Sequence, residues 1–144
     1  MRRKEPIKTI MTTNPHFVQR GEPLSHVRQL LAEHSYLHHV PVVDGKRLVG
    51  ILSSTDLISL TLEAYGTDPR LSDKLLDSQF TVESAMHKQV TYLTQDETIR
   101  DAARLLNTGR FHSLPVVDND KDRNLVGIVT STDLIRFLNG VLNN

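Results

Sequence analysis

Two copies of an eight-residue segment constrain what this chain can fold into. Gly50–Leu57 reads Gly-Ile-Leu-Ser-Ser-Thr-Asp-Leu, and Gly127–Leu134 reads Gly-Ile-Val-Thr-Ser-Thr-Asp-Leu. Each copy is preceded by an apolar run built around Pro-Val-Val-Asp. The chain therefore contains one structural unit in two copies, and its function has to account for both copies and for the polar end of each.

The first copy predicts a strand, a helix, two strands and a second helix. Gly21-Glu22-Pro23 marks the start of the first helix, because proline is tolerated in the first turn, where its missing N–H would be unpaired. Apolar residues at helical spacing follow, and the helix is expected to end at Tyr36 and Leu37. The other elements are predicted at Phe17–Val18, Val40–Val43, Leu48–Leu52 and roughly Asp56–Tyr65.

The second copy repeats this order with a longer hairpin turn. A strand is predicted at Val90–Leu93, and Asp96 is a natural N-cap for the helix after it. The offset between the copies is 74 at the prolines of the apolar runs (115 − 41) and 77 at the motif aspartates (133 − 56). The extra residues fall in the turn of residues 118–124, since loops tolerate length changes that strands do not.

The predicted fold class is α+β, with two strand–helix–strand–strand–helix repeats. Each repeat is too small to bury the apolar face of its own sheet, and two repeats packed sheet against sheet would bury it. The first repeat is expected at residues 7–65, a linker at 66–81 and the second repeat at 82–142. Within the linker, Leu71–Leu76 is predicted to add one helical turn.

Composition narrows the class of protein. Seventeen basic and seventeen acidic side chains cancel, so nothing indicates an electrostatic search for nucleic acid or an anionic membrane. The absence of cysteine excludes a disulfide framework, a thiolate zinc site and a cysteine nucleophile. Neither a signal peptide nor a membrane-spanning run is recognisable. The expectation is a soluble, cytoplasmic protein.

The motifs resemble those of a known family. Two copies of h-x-x-h-M (h, an apolar residue), a helix, h-P-V-V-D and G-h-h-[ST]-x-[ST]-D-h are similar to a tandem cystathionine-beta-synthase (CBS) domain pair, the Bateman module. The resemblance extends from about Ile7 to Leu138. It implies pseudo-twofold symmetry, no catalytic activity, and clefts between the repeats that bind adenosine compounds: AMP, ADP, ATP, S-adenosylmethionine or NAD. AMP or ATP is the expected ligand, and no cofactor is expected.

Such modules sense a ligand and pass the signal to an attached or separate partner, which implies an effector protein that the sequence does not identify. They also pair into flat dimers. The residues agree with that, because the second helix of each repeat carries a long apolar face. These residues are Leu57, Ile58, Leu60 and Leu62 in the first repeat, and Leu134, Ile135, Leu138 and Leu142 in the second.

The polar end of each motif copy independently suits a nucleotide. A strand that runs into a helix leaves unpaired N–H groups at the helix start, which favour an anion. Short hydroxyls lie at the same point and suit phosphate oxygens: Ser53 and Thr55 in the first copy, Thr130 and Thr132 in the second. The carboxylate of Asp56 or Asp133 can accept hydrogen bonds from both hydroxyls of a ribose. The alternative is that these residues only cap the following helix.

The resemblance also implies residues that hold the base, drawn from the opposite repeat. They lie after the h-x-x-h-M methionine and just before the proline strand. The site of Asp133 would draw on Thr12, Leu37 and His38. The site of Asp56 would draw on His87, Phe111 and His112. The family more often has Thr or Ser after the methionine, so His87 is a departure, and the Asp133 site ranks first.

Other residue patterns suggest sites of lesser weight. His34 and His38 have a spacing that suits zinc on a helix, but the chain is expected to leave the helix between them. His38 and His112 lie where related proteins place basic groups against phosphates, or they are exposed histidines on strand edges. Asp118, Asp120 and Asp122 alternate like a calcium loop, yet Arg123 replaces its glycine, which favours a solvated turn.

Two functions of other classes remain open beside the ligand sensor. An enzyme would need a nucleophile beside a base or an acid/base pair, and no motif of that kind occurs. An interaction module would use a dimer surface and leave its clefts empty. The hydroxyls and carboxylate present in both copies favour the sensor.

Overall fold

The computed structural model describes residues 4–34, 37–65 and 73–143, and only the backbone of 63–65. The described chain is a mixed α+β structure with two sheets and six α-helices, which confirms the predicted fold class. It divides into two compact units. The continuous unit is His16–Val90, and the split unit combines Met1–Pro15 with Thr91–Asn144.

The continuous unit is built on a three-stranded sheet with strand order β2-β3-β4. Its elements are β2 (Val18–Gln19), α1 (Leu24–Glu33), β3 (His39–Asp44), β4 (Arg47–Ser53), α2 (Ser54–Tyr65), α3 (Asp73–Gln79) and α4 (Val82–Ala85). The central strand β3 is buried over four successive residues, and Val40 and Val42, on one of its faces, belong to the core of this unit.

The split unit is built on a four-stranded sheet with strand order β1-β7-β6-β5. Its elements are a short 3-10 helix (Ile7–Thr9), β1 (Thr12–Thr13), β5 (Leu93–Thr94), α5 (Ile99–Leu106), β6 (Ser113–Val117), β7 (Leu125–Thr130) and α6 (Ser131–Leu142). The hairpins β3–β4 and β6–β7 share a bulge at the same place, after Val42 and after Val116. The predicted repeat is therefore visible in the irregularities of the strands as well as in their order.

The compact units are not the same division of the chain as the two sequence repeats. Residues 7–15 open the first repeat, but they belong with the strands and helices of the second. Within the predicted linker, the structure has α3 at Asp73–Gln79, slightly later than the helical turn predicted from Leu71, a residue that lies outside the described part. The predicted repeat limits stay a prediction.

Several predicted element limits are wrong by a few residues. α1 begins at Leu24, with Pro23 as its N-cap, and ends at Glu33. The predicted end at Tyr36 lies outside the described residues. The strand predicted at Val90–Leu93 is observed at Leu93–Thr94.

The predicted N-cap Asp96 is wrong, because α5 is capped by Thr98. The Thr98 side chain accepts the N–H of Asp101, and the Asp101 carboxylate accepts the N–H of Thr98, so both ends of a capping box are satisfied. Asp96 lies outside the helix, within reach of Lys8. The longest described helices, α2 and α6, have twelve residues each, and no described helix is long and apolar enough to span a membrane.

Candidate functional site

The polar end of the second motif copy forms the start of α6. Thr130 is the N-cap: its Oγ1 accepts the N–H of Asp133 at 3.1 Å, and Asp133 Oδ2 accepts the N–H of Thr130 at 2.9 Å. The two residues thus form a reciprocal capping box. Helix capping, the alternative use for these residues, is confirmed for Thr130 and Asp133, and it occupies one of the two carboxylate oxygens.

The second oxygen of Asp133 faces a cation. Arg136 Nη1 lies 3.4 Å from Asp133 Oδ1, one helical turn further along α6. The Asp133 side chain is 5% exposed, whereas that of Arg136 is 74% exposed. Sequence reasoning missed Arg136. The signal was its spacing of three residues from Asp133, which places the two side chains on one helix face.

The first motif copy forms the start of α2 in the same way. Ser53 Oγ accepts the N–H of Asp56 at 3.0 Å, and Asp56 Oδ2 accepts the N–H of Ser53 at 3.3 Å. The same Oδ2 lies 3.0 Å from Nε2 of His87. Burial raises the pKa of Asp56, but the hydrogen bonds from Ser53 and His87 and the charge of His87 outweigh it, so the pKa lies below its ordinary value of 3.8. The carboxylate is therefore ionised at neutral pH.

The middle threonines of the two motif copies remain open to a ligand. Thr55 and Thr132 are exposed, each in the first turn of its helix. The N–H groups beside them are bonded, since His38 O accepts from Ser54 N at 2.9 Å and the capping box takes the N–H of Asp56. In the described part of the chain, neither threonine hydroxyl has a hydrogen-bond partner. Each helix start therefore presents a hydroxyl donor at its positive end.

Thr12 and His87 occupy matching places in the two units. Thr12 pairs with Ile128 in the antiparallel β1–β7 pair. His87 pairs with Ile51 of β4 through two backbone hydrogen bonds of 3.0 and 2.9 Å. The structure thus brings Thr12 to the strand that leads into Asp133, and His87 to the strand that leads into Asp56; their role in holding a base stays a prediction.

The motif glycines leave room for the segments that carry Thr12 and His87 to pack against the strands. A Cβ on Gly127 would lie 2.6 Å from Met11 Sδ and 2.9 Å from Thr12 O, and a Cβ on Gly50 would overlap Met86 Sδ. Glycine in a strand allows another group to approach the backbone closely. At both positions the approaching group is the methionine of the h-x-x-h-M motif.

The residues before the proline strands lie beside the helix starts of their own units. His112 O accepts the N–H of Ser131 at 3.0 Å, as His38 O accepts that of Ser54. Phe111 packs against the core of the split unit. The predicted assignment of Leu37 and His38 to Asp133, and of Phe111 and His112 to Asp56, joins residues of different units and stays a prediction.

The histidine and aspartate patterns have structural uses. His34 is the C-cap of α1, so the chain leaves the helix before His38, as predicted, and its ring lies 4.2 Å from that of His16. No group of three or more His, Asp or Glu side chains in the described residues is arranged to hold a metal ion. Asp118 accepts the N–H groups of Asn119 and Asn124, which folds the hairpin turn around its carboxylate.

Comparisons with known proteins agree over nearly the whole chain. The model of the CBS domain matches residues 7–63 and 82–140. The crystal structure of CBSX2 in complex with AMP is 28% identical with a TM-score of 0.76, covering 96% of this chain and 98% of that one. The CBS domain pair of protein MJ0100, in complex with 5′-methylthioadenosine and S-adenosyl-L-methionine, is 27% identical with a TM-score of 0.71, covering 94% of this chain and 97% of that one.

Curated relatives are longer than this chain. The uncharacterized protein MJ1232 of Methanocaldococcus jannaschii is 28% identical over 134 residues, which make up 93% of this chain and 38% of that protein. The chain spans less than half the length of the first curated relatives it matches. At least five relatives carry enzyme names, and the chain covers between 9% and 24% of their lengths.

Proposed function

This chain belongs to the CBS domain family, and from that membership we propose that it is a regulatory module that binds adenine nucleotides of the AMP or ATP type. The observation that carries the proposal is the pair of matching helix starts. In each unit an exposed threonine lies next to the aspartate of the capping box, at the N-terminal, positive end of a twelve-residue helix. The AMP complex of CBSX2 supports the choice of ligand class.

Each helix start offers groups for two parts of a nucleotide. The phosphate fits at the helix N-terminus, where Thr55 or Thr132 adds a hydroxyl donor to the positive end of the helix dipole. The ribose hydroxyls fit at the carboxylate, whose Oδ1 lies outside the capping box in both Asp56 and Asp133; in Asp133 this oxygen also faces the exposed Arg136 at 3.4 Å. Arg136 adds a permanent positive charge near the Asp133 site, which favours an anionic ligand there. The Asp133 site is therefore the first to test.

The MJ0100 complex supports a second ligand, S-adenosylmethionine. It shares the adenosine group with AMP but carries no phosphate. Its ribose would therefore bind the carboxylate, and the threonine hydroxyl would have no phosphate to bind. CBS domain pairs are generally regulatory, and enzyme names occur in relatives of which this chain covers about a quarter or less. We therefore assign no catalytic step to the chain, and the signal would pass to an effector protein.

Titration of the full chain with AMP, ATP and S-adenosylmethionine by calorimetry tests the proposal. Asp133→Ala is expected to weaken AMP binding by about 1–3 kcal/mol, the range for losing a charged hydrogen-bond partner. Asp96→Ala is the matched control, because it removes the same charge from a 75% exposed side chain outside the motif. Circular dichroism checks that Asp133→Ala still folds.

Two results would contradict the proposal at different levels. If none of the three ligands releases heat or shifts the melting temperature, the proposal of nucleotide sensing is wrong. If Asp133→Ala binds AMP normally, the assignment of the ribose to Asp133 is wrong, but the proposed ligand class is unaffected. In the first case the interaction module, with no ligand, becomes the better account of the chain.

A further inference from the structure

The carboxylates of the two motif copies are paired with cations of different kinds. In the split unit, Asp133 pairs with Arg136, at a position that matches Ser59 of the continuous unit (136 − 59 = 77). In the continuous unit, Asp56 pairs with His87, at a position that matches Thr12 (87 − 12 = 75). One cation is permanent, and the other is charged only when its imidazole is protonated.

The ring of His87 can move while its backbone stays in place. Two hydrogen bonds to Ile51 hold the backbone against β4, and Met86 is seated on Gly50. The His87 side chain is nevertheless 66% exposed, so the ring can turn into solvent without breaking either contact. The imidazole can therefore leave the Asp56 carboxylate without a change in the backbone.

We propose that His87 is a proton-dependent latch on the Asp56 site, which closes the carboxylate against nucleotide at acidic pH. The inference rests on the proposed function, because it concerns regulation of one of the two nucleotide sites. The imidazole lies on Oδ2 of Asp56, beside the Oδ1 proposed for the ribose hydroxyls, so both groups draw on one carboxylate. Because that carboxylate is ionised, an imidazolium adds the attraction of opposite charges to the hydrogen bond that a neutral imidazole N–H already makes, and it holds Asp56 more firmly.

The direction of the pH effect follows from the groups around the pair. The carboxylate of Asp56 stays ionised from pH 8 down to well below pH 5, since its pKa lies below 3.8. Charged and titratable residues on the surrounding elements are Glu83 on α4, Lys88 after it, Asp73, Lys74 and Asp77 on α3, Asp44 and Arg47 at the far end of the β3–β4 hairpin, and His39 on β3, whose strand partner is Ser53. Glu83 and Lys88 are not paired with Asp56 or His87 in the described part of the chain. A protonated imidazole carries a charge that a neutral one lacks, so the latch is expected to hold Asp56 more firmly in acid.

Some groups that are present at both sites can also make AMP binding depend on pH. The phosphate of AMP gains a proton near pH 6. His38 and His112 lie beside the starts of α2 and α6, one in each unit. A pH effect specific to His87 therefore has to appear as a difference between variants at one site.

Calorimetric titration of AMP into Asp133→Ala, at about pH 6 and about pH 8, isolates the Asp56 site. In this background, the loss of affinity on acidification is expected to be about three- to fivefold larger with His87 than with His87→Thr, the magnitude of a partly exposed ion pair. Threonine is the residue that the split unit carries at this position. His87→Gln keeps a side-chain N–H donor without a titrating group, so it is expected to behave as His87→Thr does.

The reciprocal variant tests the same idea at the other site. Thr12→His in an Asp56→Ala background is expected to give the Asp133 site the additional acid sensitivity. Equal pH responses of the His, Thr and Gln forms, with AMP bound in each, would overturn the latch and leave the proposed function intact. Failure of the folded wild-type chain to bind AMP, ATP and S-adenosylmethionine at both pH values would overturn the proposed function, and the latch with it.

Discussion

Thr130 and Thr132 stand two positions apart at one helix start, yet they meet different surroundings. Thr130 Oγ1 accepts the N–H of Asp133, so its hydroxyl oxygen is committed to the capping box. Thr132 is exposed and contributes nothing to the cap. Between these two threonines, capping and the proposed ligand contact are therefore separate, whereas Asp133 takes part in both, and substitution of the threonines can separate the two roles.

Thr130→Ala is expected to lower the free energy of unfolding by about 1 kcal/mol, the usual cost of losing an N-cap side chain. Thr132→Ala is expected to leave it unchanged within about 0.5 kcal/mol, as exposed substitutions do, and to weaken AMP binding. Urea unfolding and calorimetry measure the two quantities. Ser53→Ala and Thr55→Ala repeat the comparison in the continuous unit. Equal losses of stability in Thr130→Ala and Thr132→Ala would show that the division of roles is wrong.

Single residues could be predicted where local chemistry was unambiguous. The motif hydroxyls and aspartates stand at helix starts, as the sequence indicates. Asp96 failed as an N-cap because Thr98 is an equally good cap residue and has Asp101 three positions later, which completes a capping box. Arg136 was missed because a spacing of three residues permits an ion pair without requiring one.

At the scale of elements, the order of strands and helices was predictable and the pairing of the first segments was not. Alternation and turn residues mark the β3–β4 and β6–β7 hairpins, whose strands are neighbours in sequence. Thr12 pairs with Ile128, which is 116 residues away (128 − 12), and no local pattern specifies a contact of that separation. The contact between the motif glycine and the motif methionine in each unit is likewise visible only in the fold.

Gly127→Ala is expected to destabilise the protein by about 1–3 kcal/mol, because overpacking a filled site displaces the backbone or side chains around it. The new Cβ would lie 2.9 Å from the Thr12 carbonyl oxygen, which cannot move without disturbing the β1–β7 pair. The matched control is Gly140→Ala in α6, where no atom lies within 4 Å of the added Cβ. It is expected to stabilise the chain by up to about 1 kcal/mol, since alanine is a better helix former.

Urea unfolding of both variants, together with AMP binding by Gly127→Ala, measures this prediction. Because Thr12 belongs to the candidate site of Asp133, the displaced segment is also expected to weaken the ligand. A Gly127→Ala variant as stable as the wild type would show that β1 is not held against β7 by this contact.

For the whole molecule, the doubled motif was the strongest signal in the sequence. It predicted the CBS domain family and the α+β class, and both are confirmed. It did not reveal that residues 1–15 join the strands of the second repeat, because a repeat in sequence says which elements exist and not which copy each one packs against. The opening segment of each repeat thus belongs to the compact unit of the other repeat, and this places Thr12 with Asp133 and His87 with Asp56.

The last helix of each repeat keeps apolar side chains in solvent. Ile58 and Leu62 of α2 are 60% and 54% exposed, and Ile135, Leu138 and Leu142 of α6 are 65%, 55% and 82% exposed. Leu57 and Leu60, by contrast, belong to or pack against the core of the continuous unit. Contiguous exposed apolar faces of this kind mark association surfaces in soluble proteins. A second copy of the chain is the expected occupant, since a symmetric homodimer presents the same face on both subunits.

Sedimentation of the full chain is therefore expected to give about twice the monomer mass of 16.3 kDa at micromolar concentration. Ile135→Glu is expected to shift it toward the monomer, because a charge on an apolar interface has to be desolvated without a partner. Thr91→Glu, at an exposed position outside any helix or strand, is the control and should leave the mass unchanged. Since Ile135 is exposed in the single chain, its replacement should not disturb folding, so a lost dimer can be read as a lost interface. A wild-type chain that stays at 16.3 kDa over a hundredfold range of concentration would show that these faces are not used for self-association.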